Sequence, residues 1–267
     1  MRAGFRAGAA LGALLACTAA LAEAPACAAA DQGGIPSFFG RRPTLVATGA
    51  RETGTQGTPD ETRWSATLLV PRCEAGAWSL SAARRERADT AAHEIGAAYL
   101  RPLGRTVTVG LRASYGPQGT LLPASTAGVH AAWQFAPGWV AGASLDRRRF
   151  ADDTVIVQAL SVDRYAGVMR FGAGVSAARL NAADARTVGY LEASRGDADR
   201  HATVRVFAGD EPEALRIGVQ TRPVRGVVLI GRQPIAAGWG LVGSLAVLDR
   251  GEFGVRRSAE IGLVHRF

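Results

Sequence analysis

Lysine is absent from this chain of 267 residues, so all 31 basic side chains are arginine; with 23 acidic ones the formal charge is +8 and the pI about 10.5. Without lysine no phosphate-cradling lysine loop can form, and Gly172-Ala173-Gly174 has no following helix to make one. Aromatic residues are scarce at 7%, and there are only three cysteines. After Ala30 no uninterrupted apolar run is long enough for a spanning helix, which needs about 20 residues. What is plentiful is glycine, 33 residues, with 12 prolines, a content that excludes collagen-like, coiled-coil and long even helical architectures. A turn-rich β protein is the remaining expectation, and the length suits one large domain or two small ones.

The first thirty residues read as an export signal. Arg2 and Arg6 precede an uncharged Ala/Leu segment over 7–22, and Ala26-Cys27-Ala28 or Ala28-Ala29-Ala30 offers small-residue cleavage. Lipidation at Cys17 would need a different residue beside Ala16. Residues 1–30 are thus expected to be removed, 31–43 to form a short periplasmic segment, and 44–267 to form the domain. Cys17 and Cys27 leave with the signal, and the remaining Cys73 can build neither a disulfide framework nor a thiolate metal cluster. Neither a metal site nor a cofactor is expected. An exported chain does not meet nucleic acid, so the arginine excess points to anionic lipid or lipopolysaccharide phosphates, which suit the planar guanidinium fork.

If the chain enters a membrane, it does so as strands. Val107, Val109, Leu111, Ala113 and Tyr115 share one face, and Thr108, Gly110, Arg112 and Ser114 the other. Residues 126–135 and 169–177 repeat this period of two, which is that of a strand. Strands are expected to begin near Thr44, Trp64, Ala77, His93, Arg105, Ser125, Trp139, Thr154, Val168, Thr187, His201, Val224, Trp239 and Ser258, about 14 in all with 12 still possible. Long polar links (51–62, 85–92, 116–124, 149–153, 180–186, 210–222, 249–257) alternate with short ones rich in Pro and Gly. That alternation predicts an all-β, antiparallel, up-and-down transmembrane β-barrel in the outer membrane of a Gram-negative bacterium. Trp64, Trp78, Tyr99, Tyr115, Phe135, Trp139, Phe150, Tyr165 and Trp239 lie near strand ends, as interfacial girdles do. Phe267 ends an alternating strand and is expected to act as the assembly signal read by the barrel-assembly machinery.

Tyr115-Gly116 with Leu122-Pro123, Gly138-Trp139 with residues 147–150, Asp163-Arg164-Tyr165-Ala166-Gly167, Gly231-Arg232-Gln233-Pro234, Gly238-Trp239-Gly240-Leu241 and the ending from Arg256-Arg257 to Arg266-Phe267 follow one another over nearly all of the mature chain. In these features the sequence resembles the YaiO-type outer-membrane β-barrels. The resemblance implies a barrel of poorly defined role, some members of which are suggested to accompany exopolysaccharide production. Only residues 31–43 precede the barrel, unlike longer polysaccharide-export barrels with a helical-repeat domain.

A pore is the simplest activity for such a barrel, since 8 strands fill their interior and 16 leave a channel. By parity Glu94, Arg112, His130, Asp146, Arg170, Arg205 and Glu260 line the lumen, together with Gln134, Ser144 and Arg148. Arginine prevails there, which predicts a narrow, anion-preferring channel, or arginines paired with Glu94, Asp146 and Glu260 that plug the barrel. Arg147, Arg148, Arg149, Arg256 and Arg257 are expected at the outer rim against lipopolysaccharide. A non-enzyme is the reading these features favour. The alternatives are a barrel hydrolase in which lumenal His130 works with Ser144 or Asp146, and a soluble secreted β-sandwich acting as a binding module.

Overall fold

Alternating small or aliphatic and polar residues, punctuated by Gly turns, give nearly every segment the period of a half-buried strand. In the computed structural model, residues 42–55, 59–72, 76–117, 120–197, 199–215 and 218–267 are described. The signal at 1–30, most of the segment 31–43 and Cys73 lie outside them.

The strands are β1 (Thr44–Gly54), β2 (Glu61–Pro71), β3 (Ala77–Arg87), β4 (Thr90–Leu103), β5 (Val107–Tyr115), β6 (Ser125–Ala136) and β7 (Trp139–Arg149). They continue with β8 (Thr154–Ala166), β9 (Met169–Leu180), β10 (Arg186–Gly196), β11 (His201–Leu215), β12 (Gly218–Ala236), β13 (Trp239–Asp249) and β14 (Val255–Arg266). Each pairs antiparallel with its sequence neighbours, and β1 closes on β14, with Thr44 opposite Arg266 and Gly54 opposite Arg256. The result is a closed barrel of 14 strands with no free edge, which excludes both the sandwich and the count of 12.

The outward face carries the apolar residues. Ile95, Leu111, Val129, Leu145, Leu160, Leu191, Leu245 and Ile261 are all exposed, an arrangement that would aggregate in water and suits hydrocarbon. Both chain ends of the barrel and the tight turns 137–138, 167–168 and 237–238 lie at one end, which is the periplasmic side in barrels of this type. Gly138 and Gly238 take φ of 72° and 74° there, a left-handed backbone open to glycine without a Cβ clash. Trp78 stacks on Tyr99 at 4.4 Å, and Trp133, Phe135 and Trp139 form a second aromatic group at that end. Two of the expected girdle residues differ: Phe150 and Tyr165 belong to the inward set by register, so neither meets lipid.

At the opposite, extracellular end the strands run further than their hydropathy suggests. The expected loop 85–92 is a turn at Ala88 and Asp89, and most of the expected loop 210–222 is ladder, with Leu215 opposite Gly218. The base of loop 116–124, between β5 and β6, is pinned by Gly116 N–H donating to the Ala124 carbonyl at 3.0 Å.

Candidate functional site

The lumen wall is organised as cross-strand rows, and in two of them a glycine stands beside a buried acid, Gly128 beside Asp146 and Gly172 beside Glu192. Arg112 on β5, Gly128 on β6 and Asp146 on β7 occupy one inward row. A Cβ at Gly128 would strike Asp146 Oδ1, so the missing side chain is what lets arginine and carboxylate meet across the intervening strand. Arg112 Nε donates to Asp146 Oδ1 at 2.6 Å, and its Nη2 pairs with Oδ2. The acid is sunk in the wall at 4% exposure, whereas the Arg112 side chain is 46% exposed. This pair therefore shows the lumen its positive member.

The same construction recurs toward the periplasmic end. Asp163, Gly172, Glu192 and Arg205 form a row over β8 to β11. Buried Glu192 accepts from Arg205 Nε at 2.7 Å and is paired with Arg170, which also donates to Ser194 Oγ at 3.3 Å. The Arg205 guanidinium lies 4.8 Å from the centroid of the Tyr190 ring. On the far side of the barrel, Glu61 holds Arg85 (2.5 Å) and Arg87 (2.6 Å), Glu52 holds Arg256 (2.9 Å), and Glu260 holds Arg63 (3.1 Å).

Inside the extracellular mouth lies a polar cavity of about 540 Å³. Arg85, Arg112, Arg148, Arg250 and Arg256 line it, against Glu52 and Glu94. Loop 116–124 reaches into it: Leu121 is 2% exposed, and its carbonyl accepts from Arg85 Nη1 at 3.1 Å. A smaller recess of about 170 Å³ at the periplasmic end is lined by Arg232 and Arg266, the latter paired with Asp199. Basic groups thus occur along the lumen from mouth to exit.

By strand register Glu94, Arg112, His130, Asp146, Arg170, Arg205 and Glu260 fall on the inward face of the wall. His130 lies against Gly110, where a Cβ would collide with its ring. It has no hydrogen bond to Ser144 or Asp146 among the described residues, and Arg112 occupies both Asp146 oxygens. The geometry therefore assembles no acid–base–nucleophile group around His130.

Of the residues expected against lipopolysaccharide, Arg147, Arg149 and Arg257 are exposed and outward. Arg148 and Arg256 are corrections. Arg148 has the opposite strand parity to its two neighbours and lines the inner cavity, while Arg256 is 3% exposed and held by Glu52 inside the wall. Phe267 faces outward, with its ring centroid 4.6 Å from that of His265 and its N–H donating to the Pro43 carbonyl at 3.1 Å. The sequence reading missed Glu52, Glu61, Asp163, Glu192, Arg85 and Arg250. One glycine, Gly172, which stands opposite both Asp163 and Glu192, was the available signal for those two.

No known protein-family description matches the chain, and no curated protein matches it. Solved structures do. A structure described as a bacterial polysaccharide outer membrane secretin is 11% identical, with a TM-score of 0.51, covering 85% of this chain and 98% of that one. The outer membrane protein Omp33 of Acinetobacter baumannii (11% identity, TM-score 0.49, 85% and 99% coverage) is also similar. So is an anion-selective porin from Comamonas acidovorans (10% identity, TM-score 0.47, 84% and 98% coverage). At such identities the likeness shows the fold alone: a closed antiparallel β-barrel.

Proposed function

We propose that the chain is an outer-membrane channel that passes small anionic solutes in preference to cations. The observation that carries this reading is the mouth cavity, in which five arginines face two glutamates. Charges that line a water-filled constriction set the sign of the ion it favours, because fixed charge in a low-dielectric wall raises the local concentration of counter-ions. The wall acids are partly withdrawn: Asp146 and Glu192 lie at 4% and 6% exposure with arginines in front of them. At these two acids the solute therefore meets the cationic partner, Arg112 for Asp146 and Arg170 and Arg205 for Glu192.

The test is the reversal potential of the purified, full-length barrel in planar bilayers under a potassium chloride gradient. A potential on the chloride side is expected, and Arg148→Gln with Arg250→Gln should move it toward zero without loss of conductance. Absence of conductance in the folded barrel, or a potential on the potassium side, would overturn the proposal.

A further inference from the structure

Three arginines at the extracellular ends of neighbouring strands point out of the barrel. Arg147 of β7 and Arg179 of β9 flank Ile156 in one outward row, and Arg149 lies two residues nearer the rim. With strands about 4.8 Å apart, the first two are roughly 10 Å from each other along that row. All three are exposed, and among the described residues none has an ion-pair partner. Of the other outward arginines at this end, Arg51 is matched by Asp60, Arg84 by Glu86 and Arg225 by Asp249, while Arg257 on β14 stands apart from this group. Asp146, next to Arg147 in sequence, faces inward to Arg112, and in the adjoining turns lie Asp152, Asp153 and Asp184, of which Asp153 Oδ1 accepts from Asn181 Nδ2 at 2.8 Å.

Directly below this group the same strands carry an apolar depression of about 850 Å³ on the lipid-facing surface. The next outward row is Leu145, Gln158 and Ala177, followed by Ala143, Leu160 and Val175. Ala131 and Ala143 form its shallow floor between the larger Leu111, Val129 and Leu160. Gln158 is exposed at its upper edge, an amide set among aliphatic side chains where hydrocarbon offers it no partner.

We propose that this is a binding site for a multi-chain glycolipid of the outer leaflet bearing more than one phosphate. Its phosphates lie against Arg147, Arg149 and Arg179, an acyl chain occupies the depression, and Gln158 donates to a linkage carbonyl at the junction of the two. Arginine's planar fork suits phosphate, and a charge-assisted contact at the edge of hydrocarbon is strong because water competes poorly there. The complementarity is double: unpaired cations sit at headgroup height, and a recess of acyl-chain dimensions lies one row below. Neither feature is used by the channel, since both face away from the lumen.

The experiment uses the folded full-length barrel in neutral detergent and reads lipid retention by native mass spectrometry. The probes are diphosphorylated lipid A, its dephosphorylated form, phosphatidylglycerol and inorganic phosphate. Diphosphorylated lipid A is expected to be retained at least tenfold better than the other three. R147Q with R179Q should abolish that advantage, and A143L, which fills the recess, should reduce retention while the arginines remain. Heat-modifiable gel migration and unchanged single-channel conductance confirm that each variant is folded. Equal retention of phosphatidylglycerol would reduce the site to general attraction for anionic lipid and overturn the proposal. So would retention unchanged in R147Q/R179Q or in A143L, or equal binding of inorganic phosphate alone.

Discussion

At the scale of single residues, the lumen depends on where the acids are placed more than on how many arginines there are. Asp146 is almost fully buried and both its oxygens are engaged by Arg112, whose own side chain is nearly half exposed. Removing the arginine leaves a carboxylate in the wall with its desolvation uncompensated, which costs more than the pair itself contributes. Arg112→Gln should therefore lower unfolding stability by about 1–3 kcal/mol, the cost of an unsatisfied buried acceptor that lumen water still reaches. Arg112→Gln with Asp146→Asn should recover most of that loss. Urea titration of the two variants in micelles checks it; a double variant no more stable than the single one would mean that the pair's geometry, and not the stranded charge, sets the cost. Gly128→Ala belongs to the same cycle, because its Cβ would push Asp146 Oδ1 away from Arg112 Nε.

At the scale of elements, loop 116–124 is where wall and opening meet. Leu121 is buried in the mouth and its carbonyl is held by Arg85, which also pairs with Glu61. Leu121→Ser removes the apolar anchor and leaves the carbonyl contact, so the loop should move outward and single-channel conductance should rise severalfold with the barrel still folded. Conductance equal to the parent's would show that the loop does not limit flow. Strand parity was legible in the sequence because one face must meet hydrocarbon: β5, β6 and β9 alternate without a break, and Arg112, His130 and Arg170 fell inward as expected. Strand ends were less legible. Above the hydrocarbon layer the outward face no longer has to be apolar, so outward Glu86 on β3 read as part of a loop although the ladder continues to Arg87 opposite Thr90. The same loss of contrast hid the extension of β11 and β12. Glu192 was missed because Gly189 and Ala193 dilute the apolar face of β10, and Arg148 was read two ways, into the lumen by its parity and at the rim with its neighbours as a charge run, of which the inner cavity keeps the first.

At the scale of the whole molecule, closure of β1 on β14 turns a ring of local pairs into a single electrostatic object. Fixed cations around a lumen act on a passing ion through water, and their reach is the screening length: about 10 Å at 0.1 M salt and about 3 Å at 1 M. A barrel of 14 strands is narrower than the open channels built from 16. At low salt the field of Arg85, Arg112, Arg148, Arg250 and Arg256 then covers the cross-section, whereas at high salt it is confined to a shell near the wall. The chloride-to-potassium permeability ratio is accordingly expected to be well above one in gradients centred on 0.1 M and to fall toward one as both sides approach 1 M. Replacing Arg148 and Arg250 by glutamine should flatten this dependence from the low-salt end, because the two variants remove fixed charge without altering screening. A ratio that stays high at 1 M would place selection in direct guanidinium contact at a constriction too narrow to hold screening ions, and Leu121→Ser would then reduce selectivity together with its gain in conductance.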